Sequence, residues 1–335
     1  MPASESTCNL TGTSCQHAPG EYVVDLSGYW WYSIADVVKE NHSMELSWLM
    51  KLRIAAVAAV GAALIYGVGW HLAGSSDRIG DIAYGRVPLL VALAFLAGLI
   101  GYFVSWPYGR EIGILAAPSG LAVWAFRSGS MANLIQQNPT VTQRQELVAS
   151  LRFEPIFWLI VVAAGFAGVL LAQKIRPSLK LKELKEEPDS SATKHLNAIV
   201  ALVGSGVIAQ FCLRVCAQDI RMSDNGLGSV MAQPAVAQVA FAVLVSFGVA
   251  AFAVKKLLNV SYVWPALASA LVTAFGMHTY AKNAQYLTQA WPAAFFSDAV
   301  ASVLPVQMVA FGALGSVAGY WMAIRYVYWR KHEMN

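Results

Sequence analysis

The chain has 335 residues, of which 57% are hydrophobic and only 13% are charged, and its mean hydropathy is +0.52. Water-soluble domains carry about a quarter charged residues, so this composition argues against a soluble globular protein. The net charge of +4 does not indicate a nucleic-acid partner, because the basic residues lie mainly in connectors between apolar runs. The expected partner is the lipid bilayer, with no nucleic acid.

The apolar residues form runs of about the 20 residues that a helix needs to cross hydrocarbon. They lack the alternation over about ten residues that is typical of membrane barrel strands. We therefore predict an all-α, polytopic helical membrane protein with about eight transmembrane helices. The predicted spans cover residues 54–72, 87–106, 112–126, 155–173, 196–217, 234–254, 262–280 and 304–326.

Two segments precede these spans. Residues 1–26 are polar and predicted to be a disordered tail, and they lack the basic-then-apolar order of a cleaved signal peptide. Residues 27–50 are predicted to form an amphipathic interfacial helix, because Trp30, Ile34 and Val37 follow helical spacing within an aromatic-rich segment. Docking of a partner protein is the alternative role of this helix.

The distribution of basic residues predicts the orientation of the chain. If the N-terminus is cytoplasmic, every connector on that side carries lysine or arginine, as the positive-inside rule requires. This pattern favours a multi-pass integral protein of a bacterial-type cytoplasmic membrane, with both termini in the cytoplasm.

A charged cytoplasmic linker at 174–194 divides the membrane part into half 1 (51–173) and half 2 (195–335), with four helices each. The stretch "AVGAALI" at 59–65 resembles "LVGSGVI" at 202–208, and "APSGLAVWAF" at 117–126 resembles "WPALASALVTAF" at 264–275. Halves with an even number of spans share their orientation, so the pattern predicts two parallel four-helix repeats. Chance similarity between alanine-rich and glycine-rich runs is the alternative.

Four basic or titratable residues fall near the outer ends of predicted spans. Helix rise places Arg127 about 22 Å into a layer roughly 30 Å thick, and the other three at similar depth. Charged groups at such depth normally face a bundle interior or water, and guanidinium and imidazole groups bind anions. They form the predicted substrate-binding set: Arg127, His278, His71 and Arg214. Snorkelling of these side chains to lipid headgroups is the alternative.

Three acidic residues could balance these cations: Glu154, Asp219 and Asp298. The chain contains no Walker A, H-E-x-x-H or C-x-x-C-H motif, so no catalytic residue, metal site or cofactor is assigned, and an enzyme is not favoured. A haem held by His71 and His278 is an alternative role for the two histidines.

These patterns favour a permease-like transporter of a small solute, with anions as the expected class. The alternative is a non-catalytic structural or assembly subunit of a larger membrane complex, because faces rich in glycine and alanine also support close helix packing. Membrane-protein partners or a homo-oligomer are compatible with both hypotheses.

Overall fold

The computed structural model describes residues 48–73, 87–177, 191–217, 220–224, 228–232, 235–282 and 302–333. The predicted tail, nearly all of the predicted interfacial helix and most of the predicted linker lie outside the described residues. Among the described residues, the first helix is Trp48–Gly61, so residues 48–50 are helical; the predicted interfacial helix 27–50 stays a prediction.

The N-terminal part of the bundle begins with one long helix that changes its winding. It consists of α1 (Trp48–Gly61), a π-helical segment (Ala62–Val68) and α2 (Gly69–Ala73). The helices that follow are α3 (Val87–Val104), α4 (Gly109–Gly113), α5 (Ala116–Arg127), α6 (Met131–Gln137), α7 (Val141–Leu151) and α8 (Glu154–Ile175).

The described residues of the C-terminal part form four long helices and one hairpin. The helices are α9 (Ser191–Cys216), α10 (Val236–Leu258), α11 (Val263–Lys282) and α12 (Pro305–Glu333). Between α9 and α10, strands β1 (Ile220–Asp224) and β2 (Gly228–Ala232) pair antiparallel, with Met222 opposite Val230. The hairpin was not predicted from the sequence.

Six helices of the described chain are long and apolar enough to cross a bilayer, and they indicate an integral membrane protein. They are Trp48–Leu72, Val87–Val104, Val141–Ile175 (α7 and α8 taken together), Lys194–Cys216, Val236–Leu258 and Pro305–Arg330. Six of the eight predicted spans are thereby confirmed as apolar helices, but the count of eight is not confirmed.

The other two predicted spans differ from the six in length or composition. The third is interrupted between α4 and α5, and the 12 residues of α5 reach only about 18 Å. The seventh forms the 20-residue helix α11, which is less apolar because it carries polar residues such as Ser269, Thr273 and His278.

Several helix ends are explained by local sequence. At the start of α7, the Gln143 backbone N–H donates to Thr140 Oγ1 at 3.3 Å, and the Thr140 N–H donates to Gln143 Oε1 at 3.2 Å. This reciprocal capping satisfies backbone donors that the first turn leaves unpaired. Left-handed residues follow two other helices, with φ of 52° at Asn259 after α10 and 80° at Gly129 after α5.

The packing matches a lipid environment. Large apolar side chains point outward, and Val203, Val207 and Phe211 on α9 are 61%, 62% and 69% exposed. Ser246 and Ser316 are buried instead, and each hydroxyl donates to the carbonyl four residues earlier, at 2.6 and 2.7 Å. Hydroxyls satisfied within their own helix allow close packing where no water is present.

The direction of the helices follows from contacts near their ends. The Tyr102 hydroxyl, near the C-terminus of α3, donates to the Arg176 carbonyl after α8, so α3 and α8 run in the same direction. The chain between them must therefore return to the opposite end, and α5 covers most of that return. We call the end that carries Arg53, Arg176 and Lys255 the basic end, and the opposite end the distal end.

Helix pairing follows the same order in both parts of the bundle. In the N-terminal part, the first long helix and α8 each pack against α3 and α5. In the C-terminal part, α9 and α12 each pack against α10 and α11. The two parts meet where α5 and α8 contact α12, and where α8 and α7 contact α11.

Glycines allow the closest of these helix pairs. A Cβ atom at Gly98 on α3 would collide with the carbonyl of Gly165 on α8. A Cβ at Gly319 on α12 would likewise collide with the carbonyl of Gly248 on α10. Such approach of backbone to backbone is typical of small-residue contacts between membrane helices.

Candidate functional site

The four predicted substrate-binding residues lie near the distal ends of four separate helices. Their positions are His71 in α2, Arg127 at the end of α5, Arg214 in the last turn of α9 and His278 in α11. All four side chains are exposed, and no hydrogen bond or ion pair joins any two of these described residues. The structure does not gather them around an enclosed pocket, and their role in binding a solute stays a prediction.

Gln307 is the polar residue that connects the two parts of the bundle beside Arg127. Its side chain is 2% exposed, and its Nε2 donates to the carbonyls of Gly129 at 3.0 Å and Ala125 at 3.3 Å. Its Oε1 accepts from the Leu304 backbone N–H at 3.3 Å. One amide therefore satisfies backbone groups at the end of α5 and at the start of α12.

An aromatic contact also joins α5 and α12, and we call the contact surface between these two helices the seam. The ring of Phe126 meets Phe311 edge-on, with centroids 5.3 Å apart. In the sequence, Arg127 follows Phe126 directly. It lies between Ala125 and Gly129, whose carbonyls accept hydrogen bonds from Gln307. Arg127 is therefore next to a hydrogen-bonded contact between the two parts.

A group of buried polar atoms lies at the distal end of α8. Both carboxylate oxygens of Glu154, the indole nitrogen of Trp158 and Nε of Arg152 are buried without a hydrogen-bond partner among the described residues. Glu154 and Trp158 are one helical turn apart, so the indole N–H lies beside the carboxylate without reaching hydrogen-bond geometry. The guanidinium of Arg152 lies instead over the ring of Phe153, 4.4 Å from its centroid.

Tryptophan side chains extend from Trp158 into the N-terminal part of the bundle. Trp158 is fully buried and its ring centroid lies 6.1 Å from that of Trp124, which in turn lies 5.0 Å from Trp70. Phe157 packs on Trp158 at 4.7 Å. The Glu154 carboxylate therefore lies against an aromatic core, where an unpaired charge is costly.

The first span contains the π-helical segment Ala62–Val68, which packs against α5. The Gly69 backbone N–H donates to the carbonyl of Leu64, five residues earlier, which is the hydrogen-bond spacing of a π-helix. A Cβ at Gly61 would collide with the Ala116 carbonyl, and one at Gly120 would collide with the Gly61 carbonyl. Such segments are rare, and they occur frequently at functional sites.

Cations at the basic end stack on aromatic rings. The guanidinium of Arg176 lies 4.1 Å from the Trp106 centroid, and Lys256 Nζ lies 4.6 Å from the Tyr326 centroid. Lys256 and Tyr326 also line a shallow groove of about 390 Å³, together with Leu257, Val327 and Arg330. Aromatic and basic side chains in this arrangement are typical of a membrane–water interface.

The pKa of one carboxyl group at the basic end is raised. Glu111 in α4 is partly buried, and this burial raises its pKa, while the charge of the adjacent Arg110 opposes the shift. The group lies in the connection between two spans, outside the apolar helices. Its protonation should therefore respond to the pH on that side.

No family model matches the chain, and neither a curated protein nor a solved structure matches it. Within the described residues, no group of three histidine, cysteine or acidic side chains is arranged to hold a metal ion.

The site contains features that the sequence analysis did not assign. Glu154 was predicted only as a balancing charge, and Asp219 and Asp298 lie outside the described residues. Gln307 was missed, although an amide in the first turn of an apolar helix was a visible signal. The π-helical segment was missed as well, and Gly61, Gly67 and Gly69 were its only marks in the sequence.

Proposed function

We propose that the protein is a permease-like transporter of a small solute, with anions as the class that its distal cations favour. The observation that carries this proposal is the matching order of helix pairing in the two parts of the bundle, which meet through α5, α8, α11 and α12. Transporters are commonly built from two similar halves, with the solute path at the interface between them.

The proposal includes two parallel four-helix repeats and eight membrane crossings. Crossing by α5 is supported by the shared direction of α3 and α8, which requires the chain to return between them. The glycine contacts support the repeat, because the second and fourth helices of each part approach through glycine, at Gly98 and at Gly319. One comparison opposes it: the aligned Gly61 is tightly packed, whereas Gly204 has no atom within 4 Å of an added Cβ.

Discontinuous helices provide the second line of support. The first span changes from α-helical to π-helical hydrogen bonding between Gly61 and Gly69. The third predicted span is interrupted between α4 and α5. These two interrupted elements pack against each other. The break between α4 and α5 lies towards the basic end, whereas the π-helical segment lies within the first span. π-Helical segments occur frequently at functional sites.

The two arginines and two histidines at the distal end serve as an anion-attracting surface in this proposal. Arg127 is the central member, because it follows the Phe126–Phe311 contact at the seam between the two parts. Guanidinium binds carboxylate and phosphate groups in a bidentate manner, which suits capture of a small anion from water.

Flux measurements test the proposal. The purified full chain is reconstituted in liposomes, and uptake of labelled phosphate, sulfate, lactate and glutamate is measured. We expect protein-dependent flux of at least one probe, reduced by Arg127→Ala and unchanged by Arg330→Ala, an exposed arginine at the basic end. Flux that is equal in the wild type and Arg127→Ala would refute the role of Arg127.

The alternative function is a non-catalytic structural or assembly subunit of a larger membrane complex. It is favoured by the exposed face of α9, where Val203, Val207 and Phe211 surround the open notch at Gly204. A partner helix could fit such a notch. Native mass spectrometry after gentle detergent extraction distinguishes the two, because a stoichiometric partner protein supports the subunit and a chain without partners supports the transporter.

A further inference from the structure

The unpartnered polar atoms at the distal end of α8 require an explanation. Buried polar groups are nearly always hydrogen-bonded, and an unpaired carboxylate in a membrane protein is especially costly. Glu154 has two buried oxygens without a partner among the described residues, beside the unpartnered indole N–H of Trp158. The carboxylate and the indole lie one helical turn apart, and neither has another hydrogen-bond partner in the described part of the chain.

The neighbouring charges do not neutralise Glu154. Arg152 stacks on Phe153, and its buried Nε has no hydrogen-bond partner. The helices packed on α8 bring other charged or titratable groups at their distal ends, but none is hydrogen-bonded to the carboxylate. These groups are Arg127 on α5, Arg144 and Glu146 on α7, and His278, Tyr280 and Lys282 on α11; the distal turns of α3 and α12 carry none.

The dense packing around the carboxylate limits the size of a ligand bound there. Trp158 is fully buried, and the indole and the carboxylate oxygens are enclosed by protein. A hydrated metal ion does not fit such a site, and within the described ranges no group of three metal-binding side chains includes Glu154. A proton needs no cavity and removes the unfavourable charge.

We infer that Glu154 is a proton-binding site at the distal end of the bundle, with Trp158 as the partner of its charged form. The carboxylate accepts a proton from water at the distal surface and becomes a neutral carboxylic acid, and it returns that proton when it ionises again. The indole N–H donates to the carboxylate in the ionised state. The further role of this proton as the coupling ion rests on the proposed transport function, whereas proton binding does not.

Infrared difference spectroscopy of the full chain in liposomes tests the inference with protons as the only ligand. The carboxyl C=O band is recorded from about pH 5 to about pH 9, the range in which buried glutamates titrate. We expect a titrating band that is lost in Glu154→Gln and kept in Glu146→Gln, an exposed carboxylate on the neighbouring helix α7. The pH-dependent change in tryptophan fluorescence should be lost in Trp158→Phe, while the infrared band remains.

A wild type and Glu154→Gln with identical carboxyl bands over this range would overturn the inference. If Glu154→Gln does not fold, Glu154→Asp decides, because a displaced band supports the inference and an unchanged band contradicts it. The transport proposal is judged separately. Solute flux in a protein whose Glu154 does not titrate refutes only this inference, and titration of Glu154 without flux of any probe refutes only transport.

Discussion

The side-chain amide of Gln307 donates a hydrogen bond of 3.0 Å to the carbonyl of Gly129, which precedes it by 178 residues. The bond connects the first turn of α12 with the glycine that ends α5. It lies beside Arg127, the central residue of the proposed anion-attracting surface. Gln307 is therefore a positioning residue for the distal part of the seam.

Replacement of Gln307 should destabilise the bundle. In Gln307→Ala, the carbonyls of Ala125 and Gly129 lose their buried donor, and we expect a loss of about 1–3 kcal/mol. The change is measured by thermal or denaturant unfolding in detergent. Gln137→Ala, at an exposed amide on α6, is the control and should stay within about 0.5 kcal/mol. Equal stability of the two variants would contradict the assigned role of Gln307.

Alanine at two aligned glycines should have opposite effects. In Gly61→Ala, the new methyl group collides with the Ala116 backbone. We therefore expect the free energy of unfolding to fall by about 1–3 kcal/mol. In Gly204→Ala, the methyl group meets no atom within 4 Å, and better helix propensity should leave stability equal or raise it by up to about 1 kcal/mol. Melting temperatures of both variants check this, and a similar loss in both would show that the two glycines are packed alike.

The perturbed Glu111 should make stability depend on pH. Because burial raises its pKa above the usual 4.5, the folded state binds a proton more strongly than the unfolded state. The contribution of Glu111 to the free energy of unfolding is most favourable below about pH 4.5, and it is lost as the pH rises through the raised pKa. Unfolding of the wild type and Glu111→Gln is therefore compared across this window. We expect their difference in stability to change in favour of Gln as pH rises, and a constant difference would contradict the shift.

Cysteine accessibility can decide between six and eight crossings. Thr142 on α7 and Ser261 between α10 and α11 are exposed, and they lie towards the distal end and at the basic end, respectively. In a background without native cysteines, Thr142→Cys should react with an impermeant maleimide on intact cells, and Ser261→Cys only after lysis. If α5 and α11 do not cross the membrane and the N-terminus is cytoplasmic, the two results are reversed.

Much of the membrane architecture could be predicted, because lipid imposes simple requirements on a helix. A span that faces lipid must be predominantly apolar and about 20 residues long. For this reason the predicted span 87–106 agrees with Val87–Val104, and 155–173 agrees with Glu154–Ile175. The helix at 112–126 was harder to predict, because neighbouring helices shield the short α5 and it need not satisfy these requirements alone.

The candidate site could be predicted only in part. Depth along a helix can be estimated from helix rise, and in the structure Arg127 ends α5 and His278 lies near the end of α11. The direction in which a side chain points depends on tertiary packing, and all four predicted residues face outward. The Gln307 bonds join residues nearly 180 positions apart, a relationship that periodicity and composition do not contain.

Locking the seam between the two parts tests the transport claim most directly. Phe126 and Phe311 are in contact across α5 and α12, and both are replaced by cysteine in a background without native cysteines. Flux of the labelled anions into proteoliposomes is measured before cross-linking, after cross-linking with a bifunctional thiol reagent whose linker contains a disulfide, and after reduction, with each single-cysteine variant as a control. We expect the cross-link to stop flux in the double variant alone, and reduction of the linker to restore it. Undiminished flux through the cross-linked protein, or no protein-dependent flux of any probe, would contradict a transporter that works by movement of its two halves.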